Sequence, residues 1–465
     1  MISNTDRFFL TDAVHKSVKA LEKKGISQVE AFYTNSHATE VSIRNSEILT
    51  QNQVYDAGVG FRVVVTGGKV GFASTNVLNE KAILEAGEKA FAIAKVSSEV
   101  PNFALPKGGQ PPEIRGLFDS RVAEITAEEA IDVAERAMKA AEGFDKRVIA
   151  KDGLILFQSG WRGVVNTLGV DFEEPETRAV IYLSASGKQN GEVTGSCSDF
   201  LFSREADVKP EIVGESVGKK VVELFKPQPI KSFQGTVVFS PQAVSYQLAH
   251  VLIDALKGDT VISGRSAWTG KLGEMVASEK LTVTDNALLE KGFASRGFDD
   301  EGCSSQKTIL IKKGILESNL HNATSAKALA TKNTGNASRS SGGFNIVRMI
   351  IGNGYRAKPD IYPSNLVIQS GNNTKEDLIS KISKGVLVES MAGFPQAGSG
   401  IISAQLSRAF YIKNEEIQFP IKGGMVSGVA FAWFKRISGV GSDAKQFQNA
   451  IVPSVMIEEL KIVGP

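Results

Sequence analysis

Hydrophobic residues recur along this chain at two periods, and each change of period marks out an element. Val14, Val18 and Leu21 are three or four residues apart. With Leu10-Thr11-Asp12 supplying capping residues before them, they predict a helix that Gly25 ends. The period then shortens towards two, predicting short strands at 28–33 and 38–44 and a hairpin over 60–73 that turns at Gly67-Gly68. Asn79 predicts the cap of a second helix running to about Lys95, and the Pro- and Gly-rich stretch 101–112 predicts a loop. Thr126-Ala127-Glu128-Glu129 has the capping-box spacing and opens a third helix to about Glu142. Strand patterning returns at 154–157, 163–166 and 179–183, followed by a helix over about 210–224.

Lys226-Pro227-Gln228-Pro229-Ile230 has linker composition, which divides the chain into a domain over 1–226 and another over 235–465. The second half is mostly β: strands at 308–311, 366–369, 400–404, 409–412 and 455–457 alternate with glycine-marked turns, and helices at 242–256 and 375–382 interrupt them. No internal repeat at a fixed short period is visible. The expected fold class is α+β. An N-terminal antiparallel sheet carries helices on one face, and a C-terminal β-rich domain forms a curled antiparallel sheet or barrel.

Composition narrows the chemistry. The 465 residues suffice for two or three domains. Lys plus Arg (53) nearly balances Asp plus Glu (51), for a formal charge of +2, and no basic run stands out. A nucleic-acid partner is therefore not expected. The polar start, Met1-Ile2-Ser3-Asn4-Thr5-Asp6-Arg7, lacks a secretory pattern, and no apolar run approaches the ~20 residues of a membrane span. These features predict a cytoplasmic protein without a membrane partner. Cys197 and Cys303 are then free thiols, although the sequence leaves a disulfide between them open. The four histidines, His15, His37, His250 and His321, never share a helix at ligand spacing, and there is no Cys-x-x-Cys.

The helix at 242–256 holds the most informative chemistry. His250 and Asp254 lie at i and i+4, on one side, but two donors leave a zinc site short. The plain alternative packs Val244, Leu248, Val251 and Leu252 into a core, with His250 and Asp254 hydrogen-bonded or solvated. The run from this helix through Gly258-Asp259 and 263–274, with Phe298-Asp299-Asp300-Glu301-Gly302 downstream, resembles the C-terminal half of the TldD/PmbA family. TldD-type members carry His-Glu-x-x-x-His just before that Gly-Asp. Here Ala249 and Asp254 stand where the histidines would be, and His250 replaces the glutamate. The cysteine that completes the family's zinc site is also absent from 439–454. The chain resembles the metal-free, PmbA/TldE branch.

That resemblance implies no catalytic residue, cofactor or metal in this chain. It implies zinc in a TldD-type partner subunit, an unfolded or small peptide as substrate, and a homodimer as a second possible assembly. Arg265, Ser266, Lys271, Asp299, Asp300 and Glu301, in the signature loops, become candidate contacts to the partner or the peptide. Asp299-Asp300-Glu301 admits a carboxylate metal cluster, but a solvated turn or a partner for Arg265 or Arg296 is the expectation. The Ser- and Gly-rich stretch 339–343 matches neither a Walker A loop nor a GxSxG elbow. Cys303, after an acidic stretch, is expected to be unreactive. Two rivals remain: a self-sufficient hydrolase using His250 and Asp254 or a serine, and a regulatory protein binding a topoisomerase or toxin–antitoxin partner. The near-neutral charge weakens the family's old name, modulator of DNA gyrase.

Overall fold

The strands predicted as short pieces join into long ones, because the polar residues that seemed to interrupt them pair on both sides. In this computed structural model, which describes residues 4–24, 26, 28–339 and 354–465, β1 (Gln28–Arg44) runs unbroken through Asn35 and Ser36. It pairs antiparallel with β2 (Glu47–Val65) along one edge and with β4 (Val148–Asn166) along the other. β3 (Lys69–Thr75), β5 (Asp171–Gln189), β6 (Glu192–Val193) and β7 (Cys197–Ser203) complete a seven-stranded sheet in the order β3-β2-β1-β4-β5-β6, with β7 also on β5. The turn at Gly67-Gly68 forms as predicted, with positive φ at both residues.

Helices cover one face of this sheet in two pairs. α1 (Asn4–Glu22) and α2 (Glu80–Val96) lie over β1–β3, where Val14, Val18 and Leu21 meet Val59, Phe61 and Val63. Beyond the short α3 (Ser120–Glu124), α4 (Ala127–Phe144) and α5 (Pro210–Val222) cover β4, β5 and β7. In sequence α1 and α2 bracket β1–β3, and α4 and α5 bracket β4–β7, a structural repetition that the sequence does not display. α1 begins before Leu10-Thr11-Asp12, which are interior rather than capping residues, and Gly25 lies outside the described residues. The Asn79 cap and the Thr126 capping box are both present. Close packing of α2 depends on Gly71, where a Cβ would sit 1.9 Å from the Ala90 carbonyl oxygen.

The C-terminal half contains a closed five-stranded barrel of Phe233–Phe239, Val455–Val463, Met425–Val429, Ile401–Lys413 and Lys384–Ala392. Pairing of the last two strands closes it, and its one parallel pair is Phe233–Phe239 beside Lys384–Ala392. A six-stranded sheet flanks it, and the helical run from Pro241 to Leu256 packs into the shared core. No helix among the described residues is long and apolar enough to cross a membrane.

Candidate functional site

Ser240 and Pro241 start the helical run, Ser240 accepting from the Ala243 amide. Its middle, Val244–Leu248, is a π-helical segment, a local widening often found at functional positions. Gln247, in that segment, is buried and donates through Nε2 to the Gly393 carbonyl at 2.9 Å. Val244, Leu248, Val251 and Leu252 face the apolar core, as the periodicity predicts, and Ala249 is buried with them at 1% exposure. His250 and Asp254 are half-buried. Burial lowers the His250 pKa against the opposing pull of Asp254, which keeps the imidazole neutral at pH 7. A neutral imidazole and a carboxylate one turn apart are two donors. Among the described residues no three His, Cys, Asp or Glu side chains group to hold a metal ion. The residues here do not fit a zinc centre.

The two signature loops anchor to different parts of the molecule. Ser266 is buried and donates to the Ala255 carbonyl at 2.6 Å, tying its loop to the end of the helix. Trp268, next to it, is sunk against Phe431 and Phe434. Arg265 is exposed and bonds Ser263, and Lys271 is half-exposed. The loop at 298–303 instead faces the N-terminal sheet. The expectation of a solvated turn is corrected there: Asp299 and Glu301 are 0% exposed and Asp300 is 8% exposed.

What buries them is the second face of the sheet. Odd-numbered positions of β1, such as Ala31 and Tyr33, point to the helices, so Glu30, Phe32, Thr34 and Ala38 point the other way. On the same face β2 offers Arg62, β4 offers Gln158 and Arg162, and β5 offers Glu174, Glu176 and Arg178. The C-terminal half closes over this face. Arg62 bonds Glu30 through Nε at 2.8 Å and Glu301 through Nη1 at 2.9 Å. Arg162 reaches Asp300 at 2.6 Å and Glu174 at 2.9 Å, and it lies over the Phe298 ring. Arg339 pairs with Glu30, and its amide donates to Asp300 Oδ2 at 2.6 Å. Arg296 lies 3.6 Å from Asp300, as expected of that pair, whereas Arg265 is elsewhere.

Backbone groups hold the acidic turn. Asp299 accepts from the amides of Glu301, Cys303 and Ala337, and Glu301 from that of Ala323. Burial, then the neighbouring Glu301 charge, pushes the Asp299 pKa up to about 7. Burial raises Glu301 as well, against the attraction of Arg62. Cys303 is pushed well above the usual thiol range by burial and by these carboxylates, and both cysteines are free. Of the 339–343 stretch, Arg339 belongs to this network, while 340–343 lie outside the described residues.

Between the sheet face and the C-terminal half lies a cleft enclosing about 180 Å³. Its polar lining includes Gln158, Arg162, Glu176, Arg178, Arg296, Asp300 and Arg339. Sequence reasoning did not find this network, although alternating charge in apolar strands, as at Phe61-Arg62-Val63, was its available signal.

Comparison with known proteins agrees with the resemblance. The chain matches the family models described as PmbA/TldA metallopeptidase domain 1 over residues 29–94, the central domain over 120–225 and the C-terminal domain over 232–464. It is 29% identical to a metalloprotease of Methanothermobacter thermautotrophicus, over 83% of this chain and 82% of that one. It is 26% identical to the metalloprotease PmbA of Escherichia coli O157:H7, over 98% and 97%. In structure it is similar to TldE from Thermococcus kodakarensis, with a TM-score of 0.88 and 24% identity over 97% of this chain and 100% of that one. It is also similar to a Thermotoga maritima protein described as a candidate modulator of a DNA gyrase, with a TM-score of 0.85 and 23% identity over 97% and 99%.

Proposed function

The chain belongs to the PmbA/TldA metallopeptidase family, and from that premise we propose that it is the non-catalytic subunit of a zinc-dependent peptidase complex. The zinc resides in a TldD-type partner, and the substrate is an unfolded or small peptide. The observation that carries this reading is the helix at Ala249–Leu256. A buried alanine methyl occupies one ligand position, and His250 and Asp254 are too few donors. With a histidine at the glutamate position, the helix also lacks the carboxylate that would take a proton from metal-bound water.

Such a subunit contributes shape and strand edges. An extended peptide adds to a sheet edge through backbone hydrogen bonds, which tolerate varied sequence, and enclosure by two subunits admits only unfolded or narrow chains. The exposed Arg265 and the half-exposed Lys271 are free of the core and suit contact with the partner or the peptide. Asp299, Asp300 and Glu301 support the complex indirectly, by fixing the relative position of the two halves. The complex acts in the cytoplasm, and without its partner the chain pairs with a second copy of itself.

The test is cleavage of an unfolded peptide by this chain alone and with a TldD-type protein, each with and without a chelator. Activity only in the mixture, lost on chelation, is the expected result. Cleavage by the purified chain alone overturns the reading and returns attention to His250.

A further inference from the structure

The helical run that carries the altered ligand positions also holds an acceptor that the fold does not use. Gln247 is 2% exposed, and its Nε2 donates to the Gly393 carbonyl at 2.9 Å. Its Oε1 is buried without a hydrogen-bond partner. Gln247, His250 and Asp254 are spaced at three and then four residues, so they lie along one stripe of the run. The stripe faces the loop 393–400. Gly393 takes the Gln247 bond, and a Cβ at Gly398 would meet a single atom within 4 Å, Asp254 Oδ2 at 3.8 Å. Among the described residues the space between Gly398 and the helix is otherwise open, and the glycine keeps it so.

Charge sets what this gap accepts. The stretch 391–407 contains no Lys, Arg, Asp or Glu, and Asp254 is the one such residue in 241–256. Lys257, next along the chain, is engaged by Asp360 at 2.8 Å, and Arg265 lies 3.9 Å from Asp259. Among the described residues Asp254 forms no ion pair with a lysine or arginine. Burial keeps His250 neutral at pH 7, so it adds no positive charge. The stripe thus joins an uncompensated carboxylate to an open amide oxygen. A hydroxyl answers the oxygen but not the charge. Zinc needs a fuller ligand set, and a planar guanidinium brings more N–H groups than these acceptors satisfy. An ammonium is compact, carries the matching charge and donates in several directions.

We propose that this face of the helix binds a primary ammonium group, of a peptide N-terminus or a lysine side chain, with Asp254 and Gln247 Oε1 as its acceptors. This deepens the peptide-substrate reading above and rests on it for the source of the ammonium. Phe394, 63% exposed and next to Gly393, supplies apolar surface for the residue that bears it.

Calorimetric titration of the full-length chain alone, near pH 7, tests the site with four probes. Leucinamide carries a free α-ammonium and N-acetyl-lysinamide a side-chain ammonium, whereas N-acetyl-leucinamide has neither and N-acetyl-argininamide has a guanidinium. Saturable binding of leucinamide or N-acetyl-lysinamide at up to millimolar concentration is expected, without binding of the other two. The tighter of the first pair identifies the source of the ammonium. Asp254→Asn keeps the shape, removes the charge and should weaken binding at least about tenfold. Its unfolding midpoint should not fall, because the lost charge has no cationic partner. Gln247→Met should weaken binding at least about threefold. Binding of neither ammonium, equal binding of N-acetyl-leucinamide, equal or tighter binding of N-acetyl-argininamide, or unchanged affinity in Asp254→Asn would each overturn the proposal. The titration uses neither partner nor zinc. Failure here beside partner-dependent cleavage therefore removes this site alone, and failure of cleavage beside ammonium binding removes the subunit reading alone.

Discussion

Replacing Arg62 with Met isolates what the buried charges contribute to joining the two halves. In the variant, Glu30 keeps its pairing with Arg339, but among the described residues Glu301 retains only the Ala323 amide at 2.9 Å. Both partners of the lost pair are essentially inaccessible to solvent, at 5% and 0% side-chain exposure. At an effective dielectric of about 20, two unit charges about 4 Å apart attract by about 4 kcal/mol. Removing one member of a buried pair costs about 3–5 kcal/mol, mainly because the other charge is stranded. The expected loss is therefore about 3–5 kcal/mol near pH 8. Burial already places the folded Glu301 pKa above its unfolded value. Its contribution is then fully present below the unfolded pKa and lost as pH rises through the folded one. In Arg62→Met that folded pKa moves higher still, so lowering the pH from 8 towards 5 favours protonation of Glu301 and reduces the cost towards about 1–2 kcal/mol. Adding Glu301→Gln should restore most of the stability at pH 8. Denaturant midpoints followed by the fluorescence of Trp161, Trp268 and Trp433 provide the assay. An equal cost at both pH values, or no recovery in the double variant, would refute the electrostatic account and leave packing as the cause.

Other expectations follow from single contacts. Asp285 accepts from Asn336 and Ser364, and burial holds its pKa up to about 6. Its contribution to stability should fall by about 3 kcal/mol in all as pH rises from about 3 to about 7, and Asp285→Asn should remove that slope from a pH series of unfolding midpoints. Thr126→Ala removes the hydroxyl that accepts from the Glu129 amide in the α4 capping box, leaving the backbone bond to the Glu129 carboxylate, and should cost about 0.5–2 kcal/mol in denaturant titration. Gly71→Ala forces a methyl into the α2 backbone, so thermal unfolding should show a loss beyond the ordinary range for a surface change, about 0.5 kcal/mol. Ala249→His, which rebuilds one lost ligand, places an imidazole in the filled core and should destabilise by about 1–3 kcal/mol without conferring zinc affinity in an equilibrium metal titration.

Much of the helix on which the functional reading turns was legible in the chain. The spacing of Val244, Leu248 and Val251 located it, and the identities of Ala249, His250 and Asp254 excluded a complete ligand set, because ligand chemistry depends first on residue type. The π-helical turn at Val244–Leu248 was not legible, since it changes hydrogen-bond register without changing residue type. Nor was the joining of 28–33 with 38–44. Polar Asn35 and Ser36 look like a break until partners on both sides satisfy their backbone.

The sequence by itself determined the local periods, the Asn79 and Thr126 caps, the Gly67-Gly68 turn and the absent ligands. Each of these rests on residue type at short spacing. Only the tertiary structure decided the fate of the charged positions. Alternation in β1, β2, β4 and β5 places Glu30, Arg62, Arg162 and Glu176 on one face, and an isolated sheet would expose that face to water. Contact with 298–303 and Arg339, more than a hundred residues away in sequence, buries it instead. Burial turns solvated side chains into a paired network and leaves Gln158 facing a cleft, because charges removed from water must find partners that no local pattern specifies.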